Sequence, residues 1–203
     1  QTAHGLEVFP GQVSPIAVAN ASGQVRTTLA RFGLVPGWTK SARDAQKISR
    51  ATYNARSETV ADKPSYRTAW RKRQFAIALL DEFYEPCWAT GQAVRWGIKR
   101  IDDEPMGLAS LWDEWTDPDS GEVVSSFSML TVNADAHPVM AQFHRSEDEK
   151  RSVVVLEPED FQSWLGADIT QARALITRPI DGLLTAAPRP LPRAERTLQK
   201  RLF

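Results

Sequence analysis

The feature that most limits how this chain can fold is its series of short apolar runs, set off by turn residues and never falling into a regular strand–helix alternation. Phe75-Ala76-Ile77-Ala78-Leu79-Leu80 is continuously apolar and six residues long, the signature of a buried strand. Residues 13–19 and 25–34 read as strands with Gly23 turning the chain between them. Residues 94–101, 107–112, 126–132 and 153–156 read the same way, and Asp117-Pro118-Asp119-Ser120-Gly121 is a turn between two of them. Helical signals are brief. Pro64 behind Asp62 predicts a helix to about Arg73, with Tyr66, Ala69 and Trp70 on one face. Glu157-Pro158-Glu159-Asp160 predicts another through Leu165, and residues 39–50 read as a surface loop or a short helix. The tail from Pro188 reads as extended and then helical. The sum is an α+β fold on a curled, mainly antiparallel, barrel-like sheet with peripheral short helices, in one domain over residues 1–203.

The 203 residues are 42% apolar, enough for a core and too many for disorder. The 25 basic and 25 acidic side chains cancel, so net charge selects no partner, but their distribution does. Residues 40–73 hold ten Lys/Arg against three acids, whereas residues 102–122 hold eight acids and no base. The basic stretch is either a solvated surface or a face for phosphates. One cysteine, Cys87, excludes an internal disulfide framework and suits a reducing compartment. The scattered His and Cys give no metal-ligand spacing. No apolar run approaches the roughly 20 residues that span a bilayer. We therefore expect no cofactor, no metal, no membrane partner and a cytoplasmic protein.

Four places carry chemistry. Asn54-Ala55-Arg56 offers an amide that can orient a reactive group and a guanidinium that can clamp a phosphate, or else a turn Asn and a surface Arg. Glu85, at the end of an apolar strand beside Phe83 and Tyr84, is either a rim carboxylate or a partly desolvated acid with a raised pKa. His144 is either a proton shuttle or a capping or core residue. Trp38, on the Pro36-Gly37-Trp38 break, either stacks on an unpaired base or anchors its loop.

Taken in order, these elements resemble the SOS response-associated peptidase (SRAP) family. Phe9-Pro10-Gly11-Gln12 is similar to its early turn and Phe32-Gly33-Leu34-Val35-Pro36-Gly37-Trp38 to its Trp-Gly-Leu-x-Pro-x-Trp run. Asn54-Ala55-Arg56-Ser57-Glu58-Thr59 matches the most specific motif in full. The stretch from Tyr66-Arg67 to Arg73 resembles its following helix, and Asp81-Glu82-Phe83-Tyr84-Glu85 its Asp-Gly-Phe-Tyr-Glu-Trp motif. Leu108-Ala109-Ser110-Leu111-Trp112 resembles a strand of the family, and His144 with Lys150-Arg151 its final motif.

The resemblance implies a protein that binds single-stranded DNA, associates with the nucleoid and senses abasic sites; we expect it to be a monomer. Cross-linking to them would proceed through an N-terminal cysteine whose amine and thiol close a thiazolidine on the sugar aldehyde. The same cysteine would give autoproteolysis of a leader. Asn54 would orient the cysteine, Glu85 would be the acid/base for ring opening, and His144 would position the sugar-phosphate and stabilise the imine. Trp38, Arg56, Arg67 and Arg151 would hold DNA.

Three departures stand out: Glu82 replaces Gly, Pro86 replaces Trp, and the stretch between His144 and Arg151 is longer than in many members. The family's opening Met-Cys-Gly-Arg is also missing ahead of Gln1, so we expect a leading segment to supply the nucleophile. Cys87 cannot replace it, because its amine is locked in a peptide bond. A non-covalent single-stranded DNA-binding module, and a hydrolase using Glu85 and His144 on another electrophile, are the competing readings.

Overall fold

The computed structural model describes residues 7–176 and 182–191. The expected helical end of the tail lies outside the described residues. In chain order the elements are β1 (Val13–Ala19), β2 (Val25–Phe32), α1 (Ala42–Ser49), β3 (Asn54–Arg56), α2 (Arg67–Arg71), β4 (Phe75–Leu80), β5 (Phe83–Cys87) and β6 (Val94–Arg100). They continue with β7 (Met106–Thr116), β8 (Val123–Asn133), β9 (Arg151–Val153), β10 (Val155–Leu156), α3 (Phe161–Gly166), α4 (Ile169–Ile176) and β11 (Leu184–Pro188). Short 3-10 turns cover Met140–Gln142 and Pro158–Asp160.

The described residues fall into two compact units. The first takes in the chain up to Leu79, Gly107–Val132 and the chain from Val153 through α4. Its strands are hydrogen-bonded in the order β7, β4, β1, β2, β8, and β8 pairs back onto β7 to close a five-stranded barrel. The β1–β2 hairpin is antiparallel, Val13 opposite Arg31 through Ala19 opposite Val25. Its turn is made by the Asn20 side chain, whose Oδ1 accepts from the Ser22 and Gln24 amides, with Gly23 at φ +79°. β2 and β3 run parallel to β8, while β7 runs antiparallel to it. The architecture is α+β and mainly antiparallel.

The core of this unit follows from the apolar runs. Ile77, Leu111 and Leu130 are fully enclosed, each such burial stabilising by about 1.5–3 kcal/mol. Phe75 lies between Trp70 and Trp164, with ring centroids 5.5 and 4.6 Å away. The buried Trp164 indole donates to the Ala76 carbonyl at 2.9 Å, so α3 docks without stranding a polar atom.

The predicted helices form with altered starts. Residues 39–50 contain α1, whose N-cap Ser41 accepts from the Asp44 amide and donates to its carboxylate. The helix predicted from Pro64 begins only at Arg67, because residues 59–66 form successive turns and Tyr66, its N-cap, sends its ring into the core. The helix predicted from Glu157 opens instead as the 3-10 turn, and α3 follows at Phe161.

The second unit comprises Leu80–Met106, Asn133–Ser152 and the described chain from residue 182. Among the described residues its sheet runs β11-β6-β5, antiparallel throughout. The sequence placed Glu85 at the end of the preceding apolar strand. It lies instead within β5, a separate strand opposite Trp96.

Candidate active site

Strand alternation organises the second unit's chemistry. Phe83, Glu85 and Cys87 point to one face of β5 and Tyr84 and Pro86 to the other. Phe143 is fully buried, edge-on to Trp96 with ring centroids 6.0 Å apart. The next residue, His144, adopts φ +61°, a region a side chain other than glycine occupies only when its surroundings hold it there. Its amide donates to the Pro86 carbonyl at 3.1 Å, and it bridges in parallel with Cys87. This tie sets the imidazole beside β5, with Nε2 3.6 Å from Glu85 Oε2.

Burial pushes the Glu85 carboxyl up to about 7. The His144 imidazole is held below its ordinary range, first by burial and then by the Lys150 charge, against an opposing hydrogen bond with the Arg151 main chain and the Asp148 charge. Near neutrality the imidazole is therefore mostly neutral and the carboxyl divides about evenly between acid and carboxylate, so the pair is not a fixed ion pair. At 3.6 Å it is also too long for a hydrogen bond, and the buried Nε2 has no hydrogen-bond partner among the described residues. One group that can give a proton and one that can accept it thus face the same space. Cys87 is buried, its thiol directed at the Gln142 carbonyl 4.0 Å away.

Arg151 follows on β9, its Nη1 2.8 Å from Glu149 Oε1. Glu82, the unexpected residue of the second motif, pairs with Arg189 at 3.1 Å across Gly97. Trp88, Arg145 and Lys150 sit around His144; from sequence, Arg145 and Lys150 are only neighbours in the last motif, without a role, and Trp88 is not marked. Among the described residues no group of three or more His, Cys, Asp or Glu side chains could hold a metal. None of their helices is long and apolar enough to cross a membrane.

The barrel unit carries the other set. β3 pairs in parallel with β8, Asn54 opposite Met129 and Arg56 opposite Thr131, so Ala55 is buried while Asn54 and Arg56 are exposed. The Tyr66 hydroxyl donates to the Asn54 carbonyl at 2.9 Å, and burial pushes that phenol up to about 12. Trp38 is 55% exposed, and its Nε1 donates to the Pro64 carbonyl at 3.2 Å. All ten Lys/Arg of residues 40–73, Arg67 included, are exposed. The structure therefore pairs Glu85 with His144 in one unit, and carries Asn54, Arg56, Arg67 and Trp38 in the other.

The fold and sequence have known relatives. A solved protein from Bordetella bronchiseptica matches with TM-score 0.83 and 33% identity over 91% of this chain and 87% of that one. One from Bacteroides thetaiotaomicron shares the fold with TM-score 0.73 and 23% identity, over 88% and 74%. The abasic site processing protein HMCES of Rattus norvegicus is 30% identical over 181 residues, 75% of this chain and 49% of that protein. The abasic site processing protein YoqW of Bacillus subtilis is 26% identical over 161 residues, 78% of this chain and 65% of that protein. The chain thus spans about half the length of the HMCES relatives it matches. The family model for SOS response associated peptidase (SRAP) matches residues 1–188. This chain belongs to the SOS response associated peptidase family.

Proposed function

We propose that this protein processes abasic sites in single-stranded DNA by forming a covalent cross-link to the opened sugar. The carrying observation is the partly buried carboxyl of Glu85, pushed up to about 7, 3.6 Å from His144. An abasic sugar is mostly a closed hemiacetal, and opening it needs a proton delivered to the ring oxygen as the C1′ hydroxyl loses one. Glu85 is about half protonated near neutrality and suits that donation; neutral His144 suits the positioning and the complementary transfer. A terminal cysteine of the mature protein then supplies both bonds. Its amine condenses with the aldehyde, releasing water as the imine forms. Its thiol adds to the imine carbon and closes the thiazolidine, with the thiol proton passing to nitrogen. Cys87, buried and without a free amine, takes no part.

Asn54 orients the terminal cysteine, and Arg56, Arg67 and Arg151 contact phosphates. Trp38 stacks on a base. Ten exposed cations along residues 40–73 support a strand-tracking face. The same cations also favour the second reading, a module that binds single strands without chemistry. Full-length protein incubated with an abasic single strand and run under denaturing conditions decides. A denaturant-stable conjugate is expected, and salt-sensitive binding with no conjugate would leave only the binding module.

A further inference from the structure

A groove of about 630 Å³ opens beside His144, within the second unit. That is inside the range of about 300–1,000 Å³ typical of small-ligand clefts. Its wall includes Trp88, Gln142, Arg145, Glu147 and Lys150. We propose that Trp88 and the segment 145–150 form a subsite for the base of the nucleotide next to the reacting sugar. The inference rests on the abasic-site reading above.

The Arg145 guanidinium lies over the Trp88 ring, 4.5 Å from its centroid. A planar cation on an indole makes a π-rich layer of the kind on which unpaired bases stack. The segment is braced rather than loose. The Lys150 amide donates to Asp135 Oδ1 at 2.9 Å, its carbonyl accepts from the Ala134 amide at 2.8 Å, and the Asp148 amide donates to the Arg145 carbonyl at 3.1 Å. The Lys150 ammonium also donates to the Arg145 carbonyl. A wall ordered in advance loses little entropy on binding.

The charges argue for a base over a bare phosphate. Arg145 and Lys150 are offset on the same wall by Glu147, and Asp148 and Glu149 follow in the same segment, so the lining has no strong positive excess. A carboxylate and the Gln142 amide instead match the donor and acceptor edge of a base. Both parts lie beside departures from the family pattern: Trp88 stands two residues after Pro86, and segment 145–150 is the stretch between His144 and Arg151 that is longer than in many members.

The test uses full-length protein and fluorescein-labelled single strands carrying one tetrahydrofuran abasic analogue, read by anisotropy. One strand keeps the neighbouring bases; in the other both neighbours are also tetrahydrofuran. The wild type is expected to prefer the first by roughly ten-fold or more, the scale of one base stacked on an aromatic ring. Trp88→Ala should lose the preference while still binding, and Trp88→Phe should keep most of it. If Trp88→Ala lacks native circular dichroism, Arg145→Gln carries the test, and its preference must fall several-fold. A wild type that binds both strands equally, or variants that keep the full preference, would overturn the subsite and leave the abasic-site reading standing. A wild type that binds neither strand overturns that reading and the subsite with it.

Discussion

The Glu82 carboxylate covers Gly97 on the neighbouring strand so closely that a Cβ built on Gly97 would stand 2.1 Å from Oε1. Glycine at 97 thus makes room for a glutamate where the family motif has glycine, and Arg189 holds it there at 3.1 Å. Gly97→Ala should displace that carboxylate and cost about 1 kcal/mol, the low end for overpacking because a flexible side-chain end yields. Urea unfolding measures it, and Glu82→Ala in the same molecule should recover part of the loss, since Arg189 Cγ would still stand 2.8 Å from the added Cβ. At Gly33 (φ +113°) the same substitution meets the Ser49 backbone at 1.8 Å, and it should cost roughly 3 kcal/mol or more.

Stability should carry the signature of Glu85. Its carboxyl titrates near 7 in the native protein against an ordinary 4.5, so between those values the native state holds more protons than the unfolded state. Unfolding free energy therefore falls as pH rises from about 4.5 through 7, by up to about 3 kcal/mol. His144 acts oppositely: its lowered pKa makes stability rise with pH below about 6.5. Subtracting the Glu85→Gln profile isolates the carboxyl, and a flat difference curve would mean it ionises as if in water.

In cross-linking, Glu85→Gln should lower the single-turnover rate by about 10²–10⁴-fold, the range for a positioned acid or base. The wild-type rate should decline as pH rises past about 7, where Glu85 loses its proton. His144→Ala should also slow the reaction. Unchanged yields and rates in both variants would remove these residues from the chemistry.

Tyr66→Phe deletes the hydroxyl that holds the Asn54 carbonyl at 2.9 Å. A loss of about 0.5–1.5 kcal/mol is expected, because a part-buried carbonyl loses its side-chain donor. Thermal melts report the stability term. A cross-linking rate that drops while strand affinity is preserved would show that the bond serves the orientation of Asn54.

Phosphate contacts are countable from salt. Arg56→Ala and Arg67→Ala should each weaken binding to every single strand alike and reduce the log–log salt slope by about 0.7. A slope equal to the wild type's would take that arginine off the phosphate track.

Much of this fold was legible because buried strands announce themselves as apolar runs: Phe75–Leu80 and the 13–19 and 25–34 pair stand close to where their patterns put them. The raised carboxyl of Glu85 was legible too, although of its two aromatic neighbours only Phe83 shares its face of the strand. What stayed hidden depends on distant partners. Tyr66 delays α2 by turning inward to a carbonyl twelve residues away. β11 is a short Leu-Thr-Ala-Ala-Pro run without alternation or β-branched bulk beyond Thr185, and it becomes a strand only by pairing with β6. The left-handed backbone of His144 is set by the Pro86 carbonyl and the burial of Phe143, which no local pattern encodes.

The three-residue length of β3 makes the barrel unit's polar set sensitive to counting. Parallel pairing with β8 fixes which side chains face out, with two outward positions flanking one inward. Losing or gaining a single residue in the connection before Asn54 would shift the pairing by one step, driving an amide and a guanidinium into the interior and expelling a methyl group. Length is thus a stricter requirement in that connection than composition, and tolerated insertions belong in turns such as residues 117–121, where no outward-facing motif depends on the count.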